Sequence, residues 1–297
     1  MTERTYPLVH QVLEARALRV FLFCLSLVTL AYVDLRIGGV MLDPNCIYPF
    51  LILLSAPTSL CLKLRWHTIT IVRKCCLPAG IAACGLNLIV MVSNADDIAL
   101  IGYRLLLLYT PLVLGIFIFF SLSILENAEV RVFSLSKIEK IALSFVTIIS
   151  FLAAASAIAI RNDTDLAAFI SGRAILMVAF IVFFVFAIPR QHAESVVKKL
   201  KISSLVLLLI SVTIGVYTYT LAVMEQGNIG NPFESIAFAT LGILYGLLLA
   251  IFAISAECKS SEESRNDIAF DWHIVEAYAF YALIILPPVN ILEYYFQ

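Results

Sequence analysis

The chain has 297 residues, 62% of them hydrophobic and 14% charged, with a mean hydropathy of +0.99 and a formal net charge of −1. Soluble globular chains are about 45–50% apolar and about 25% charged, so a water-soluble fold of this length is excluded and an all-α, polytopic transmembrane bundle is expected, as a single integral membrane domain over 1–297. The near-neutral charge also argues against a nucleic-acid partner.

About 20 apolar residues at about 1.5 Å each cross a hydrocarbon core. On that scale the sequence predicts nine spans, near 17–35, 46–62, 77–93, 99–125, 140–160, 166–188, 202–223, 235–256 and 274–293. The count falls to eight if 46–62 or 274–293 only dips into the bilayer. No small-residue cleavage site follows the first apolar run, so that run is expected to stay as a signal anchor. The segment 63–74 carries basic residues, β-branched residues and Trp66, and is expected at headgroup level. Prolines fall within expected spans at Pro57, Pro111, Pro287 and Pro288; the last two must bend or break the ninth span.

Turn signals separate the hairpins at Ser93-Asn94-Ala95-Asp96, at Arg161-Asn162-Asp163-Thr164 and at Gln226-Gly227-Asn228. Helix caps are expected at Asp96 or Asp97, Asp165 and Ser235. Small residues mark close packing at Ala79, Gly80, Ala83 and Gly85, at Ala153 to Ala157, and in the GxxxG of Gly242 and Gly246. These faces serve packing inside one bundle or, for Gly242/Gly246 and 153–157, a homodimer or a membrane-protein partner.

The basic residues set the orientation. The N-terminal segment and the loops at 63–76, 126–140, 189–201 and 257–273 hold 16 of the 20 Lys and Arg. The intervening loops are short and acidic. The N-terminus is therefore expected on the cytoplasmic side and, with nine spans, the C-terminus outside, in a bacterial cytoplasmic membrane.

No Walker A loop, HExxH or GxSxG motif is present. The span count resembles that of the UbiA-type prenyltransferases, which implies aspartate clusters in the loops after spans two and six. Neither 63–76 nor 189–201 contains an Asp, so that chemistry is not expected here. Glu262-Glu263 and His273 resemble the glutamate pair and histidine of intramembrane CAAX-type proteases, but at other spacings and on a polar loop. The seven cysteines form no CxxC pair, and all four histidines lie on expected cytoplasmic segments. No metal, cofactor or catalytic residue is expected.

Arg104 and Arg173 are the two bases clearly embedded in expected spans, away from their ends, each seven or eight residues from its outer turn and so about 10–12 Å deep. A cation at the middle of a span costs about 2.5–3.5 kcal/mol on insertion scales, less nearer the surface. One offset is snorkelling toward Asp96, Asp97, Asp163 or Asp165. The other is a polar pocket open to the outer side, with Asn87, Tyr217, Tyr219 and Thr240 at similar depth. Paired guanidinium groups suit oxyanions, so the candidate ligand is an anionic solute or an anionic lipid headgroup. Three roles follow: a small permease-like transporter, a non-catalytic membrane subunit of a larger assembly, and an enzyme or flippase acting on a lipid- or polyprenyl-phosphate-linked substrate.

Overall fold

Within hydrocarbon, backbone N–H and C=O groups must find partners inside their own segment, and every extended element described is a helix. The computed structural model describes residues 6–36, 43–60, 67–93, 101–125, 135–187, 196–224 and 232–257. The helices are α1 (Tyr6–Arg36), α2 (Pro44–Thr58), α3 (His67–Ser93), α4 (Ile101–Leu125), α5 (Lys137–Arg161), α6 (Gly172–Ala187), α7 (Val196–Met224) and α8 (Pro232–Glu257), with a short 3-10 turn at Leu166–Phe169. Among the described residues, five helical stretches are long and apolar enough to cross a membrane: Thr68–Val92, Leu108–Leu125, Lys137–Arg161, Leu166–Ala187 and Ala237–Ala256. Shorter apolar stretches occupy Leu18–Tyr32 and Ile47–Thr58. The expected ninth span, with Glu276, Pro287 and Pro288, lies outside the described residues, as do Trp66, Asp96 and Asp97.

Three local expectations change. The segment expected at headgroup level is helical from His67 onward, so α3 starts well before residue 77. Arg73 and Lys74 interrupt the apolar run and hide that start. The helix accommodates them because Arg73 lays its guanidinium 5.3 Å from the Phe119 ring centre and donates to Ser123 Oγ at 3.3 Å, while Lys74 is exposed. The sixth expected span is divided into the 3-10 turn and α6. α8 starts at Pro232 rather than behind a Ser235 cap; proline suits a first helical position because its missing N–H would have no partner there.

α3 is the interior helix. Its most apolar stretch is 83% buried, against 22% for Leu166–Ala187. Every residue from Ala79 to Leu86 is buried, as a helix apolar on all sides requires. The small side chains let neighbours approach closely. A Cβ on Gly80 would lie 3.0 Å from the Pro111 carbonyl oxygen of α4, and one on Gly115 would lie 2.8 Å from the Cys76 carbonyl oxygen. On another side, a Cβ on Gly85 would sit 3.2 Å from Leu244 Cγ of α8. Lower down the same seam, Cys75 Sγ lies 3.9 Å from the Ile251 carbonyl and 3.7 Å from Ser255 Oγ.

The remaining helices close around this centre. α2 packs on α3 and α5, α1 on α4, and α7 and α6 on α8. Gly242 abuts Ser211 and Met177, and Gly246 abuts Leu208, so this GxxxG pair is used in packing within the chain. Ser204 of α7 donates to the Gly246 carbonyl at 2.8 Å. Ser150 donates to the Val146 carbonyl, which leaves Ser55 of α2 to donate to Ser150 Oγ across 2.6 Å. Ser26 of α1 and Ser121 of α4 lie 2.9 Å apart. In the 153–157 stretch, Ala154 and Ala155 are buried and Ala153 is exposed. The outward faces carry large apolar side chains, among them Phe145, Ile148 and Ile149 on α5 and Leu176, Phe180 and Phe183 on α6.

The spacing at Gly115 makes a sharp test. Gly115→Ala is expected to lose about 1–3 kcal/mol, because its methyl meets a backbone oxygen that cannot step aside. Gly172→Ala, with nothing within 4 Å of the new methyl, should stay within about 0.5 kcal/mol of the parent. Equilibrium unfolding of both variants in mixed detergent micelles measures the difference, and equal stabilities would remove the close-approach account.

Candidate functional site

The divided sixth span is built from the turn upward. α5 ends at Arg161, whose Nη2 lies 3.9 Å from Asp43 Oδ1 at the start of α2. Asn162 bonds back to the Ile158 carbonyl through its side chain at 2.9 Å. Asp163 then takes a left-handed backbone with φ of 49°, a conformation Asp tolerates better than most residues. Asp165 caps the 3-10 turn as expected, its Oδ1 accepting from the Ala167 N–H at 2.9 Å. Ile170 is extended and ends the turn. Ser171 restarts the chain as a helix, its Oγ accepting from the Ala174 N–H at 3.4 Å.

A single tyrosine holds the two halves together. The Tyr245 hydroxyl of α8 donates to the Phe169 carbonyl at 3.1 Å and accepts from the Ser171 N–H at 3.4 Å. It therefore satisfies one orphan acceptor and one orphan donor, which a break inside an apolar span would otherwise leave unbonded. Its ring meets Phe151 of α5 edge-on, with centres 5.9 Å apart, and Phe169 is fully buried. This residue was not singled out by the sequence. The available signal was a polar hydroxyl in an otherwise apolar run, which requires a partner.

No known family, curated protein or solved structure matches this chain.

Arg173 is the second residue of α6 and is exposed, at the same end as Arg161, Asp163 and Asp165. Among the described residues it makes no ion pair. The first-turn N–H groups of Gly172 and Arg173 have no partner within α6. A guanidinium is thus added to the positive end of a helix dipole, an arrangement that disfavours the bare cation and favours an anion nearby. Arg104 is the fourth residue of α4, and its side chain lies outside the described residues. Thr240 is buried, with its methyl 3.6 Å from the position a Gly85 Cβ would take, so it belongs to the α3–α8 seam. Asn87 is half-buried on α3. Tyr217 is 63% exposed and faces outward from α7. Tyr219 lies in α7 with its side chain outside the described residues. Arg173 and Tyr217 are thus exposed, whereas Thr240 is buried in the α3–α8 packing.

Tyr245→Phe removes the hydroxyl and leaves the Phe169 carbonyl and Ser171 N–H unbonded. It should cost about 1–3 kcal/mol, and amide hydrogen exchange should rise at residues 169–174 while α3 stays protected. Unchanged exchange at the break would show that Tyr245 does not brace it.

Proposed function

We propose that the chain is a small, permease-like, multi-pass membrane protein that takes an anionic solute or an anionic lipid headgroup at the divided sixth span. Arg173 holds the anion and Arg104 assists it. The observation that carries this reading is the exposed Arg173 guanidinium in the first turn of a helix that restarts within an apolar stretch long enough to span a membrane, braced by Tyr245. Discontinuous helices of this kind direct half-helix N-termini at anionic groups in transporters. In the same proposal the protein resides in a bacterial cytoplasmic membrane, with the Arg173 end outside and the Lys-rich end at the cytoplasm, following the distribution of basic residues. A second role, as a membrane subunit of a larger assembly, is favoured by α1, which packs on α4 and exposes Leu18, Phe21, Leu25, Val28 and Tyr32.

The test uses the full chain in phosphatidylcholine nanodiscs, titrated with pyrophosphate and citrate and followed by thermal shift. Arg173→Gln should weaken anion binding by at least about tenfold, the loss of a charge-assisted contact, with the unliganded melting temperature unchanged. Binding that survives the substitution would overturn the reading.

A further inference from the structure

Small residues line the seam between α7 and α8 at each layer. Gly246 faces Leu208 and Ser204, Gly242 faces Ser211, and Gly215 faces Ala239. The layers differ in their polar bonding. Ser204 donates across the seam to the Gly246 carbonyl at 2.8 Å. Elsewhere Thr147, Ser150 and Thr213 bond back to carbonyls four residues earlier on their own helices, at 2.7–2.8 Å, a common way for a helical hydroxyl to be satisfied. Ser211 does neither. It is 1% exposed, and among the described residues its Oγ has no hydrogen-bond partner. The oxygen is aimed at the bare backbone of Gly242, which it abuts.

Met177 of α6 closes this place from a third side. Its Cε lies 2.8 Å from the position a Gly242 Cβ would take, so three helices meet at one glycine. Met177 meets Ser211 there, and Lys199 Nζ lies 3.3 Å from the Phe186 carbonyl, so α6 and α7 run antiparallel. Arg173, four residues before Met177, shares its face of α6 and lies about 6 Å nearer the break in the sixth span. α6 holds to α7 through a small cluster of its own, Ile181 and Val185 with Leu207, apart from the main core. Methionine has three rotatable bonds and fits several shapes, so the Met177 side chain can leave Gly242 without displacement of backbone. A buried hydroxyl left without a partner costs stability, whereas an apolar residue in its place costs none. A ligand oxygen accepting from Ser211 offsets that cost, and a donor set behind a guanidinium suits an oxyanion.

We propose that Ser211 and Gly242 form the floor of an occluded oxyanion position between α6, α7 and α8, with Met177 as its plug and Arg173 at its mouth. The inference rests on the anion reading of Arg173 and deepens it. The anion passes the guanidinium, Met177 swings aside, and one anion oxygen accepts from the Ser211 hydroxyl. The ligand group is a carboxylate or a phosphate, carried by a free solute or by a lipid headgroup.

Two measurements on the full chain in phosphatidylcholine nanodiscs test the proposal. The first reads binding of pyrophosphate, citrate and short-chain phosphatidylglycerol by thermal shift. S211A, which removes the unsatisfied oxygen, should melt at or above the parent temperature without ligand, yet bind anion about tenfold more weakly. A hydroxyl that only packs would move the melting temperature and leave binding alone. A loss seen with the two solutes assigns the position to a free anion, and one seen with phosphatidylglycerol assigns it to a headgroup. The second exposes S211C to a negatively charged methanethiosulfonate and maps the modified peptide, with the parent chain as background. Modification should be faster with M177A and slower with the anion that binds. Where S211C fails to fold by size-exclusion chromatography, the S211A titration decides. Parent-like binding by S211A while R173Q loses binding would overturn this inference and leave the Arg173 reading standing. Equal binding by the parent and R173Q would overturn that reading; the occluded position then stands if anion slows labelling of S211C and falls if it does not. A parent that binds none of the three ligands overturns both.

Discussion

Close approach of backbones around α3 is the constraint on which the rest of the structure depends. In a bilayer, burying apolar side chains between helices gains little, because lipid tails are as apolar as leucine. What remains is dispersion across well-fitted surfaces and hydrogen bonds between hydroxyls and exposed carbonyls. Gly80 against the Pro111 carbonyl, Gly115 against the Cys76 carbonyl and Gly85 against Leu244 set those distances on two sides of α3. A helix so enclosed has no face left for lipid, so its neighbours must supply the outer surface, and they do so with Phe, Ile and Leu.

The sealed centre confines the strongest charges to the ends. The described basic residues Arg73, Lys74, Lys199 and Lys201 gather where α3 and α7 begin, and Arg161, Asp43, Asp163 and Asp165 gather where α5 ends. Between the ends, polar side chains are chiefly serine and threonine hydroxyls that bond back to their own helix or across to a neighbour, as at Ser55–Ser150 and Ser204–Gly246. The divided sixth span brings irregular backbone into the apolar layer, and Tyr245 supplies its missing partners from α8. Arg173 is exposed in the first turn of α6, so the anion site proposed there is reached without crossing the packed core.

How much of this the sequence reveals can be followed residue by residue. The all-helical membrane class is legible in composition alone, because so little charge cannot solvate so much apolar surface. The interior position of α3 is legible in its run of Ala, Gly and Cys. Its early start is not, since Arg73 and Lys74 break the hydropathy signal, and their accommodation depends on Phe119 and Ser123 far along the chain. Gly242 and Gly246 announce a close contact without naming the partner helix, which is α7 of the same chain. The division of the sixth span is hidden because Ile170-Ser171-Gly172 reads as ordinary apolar sequence. The group that stabilises it is a tyrosine more than seventy residues away. Arg173, expected about two turns into a continuous helix, lies instead in the first turn of α6 for that reason.

The enclosure of α3 is tested most directly by photolabelling the protein in bilayers with a membrane-soluble diazirine, followed by peptide mapping. The reagent marks whatever faces lipid, independent of charge or thiol chemistry. The account predicts insertion along residues 18–32 of α1, on the outward faces of α5 at Phe145 and Ile149, and on α6 at Leu176, Phe180 and Phe183, with residues 79–91 of α3 left unmarked. Labelling of α3 at the level seen on α6 would contradict it.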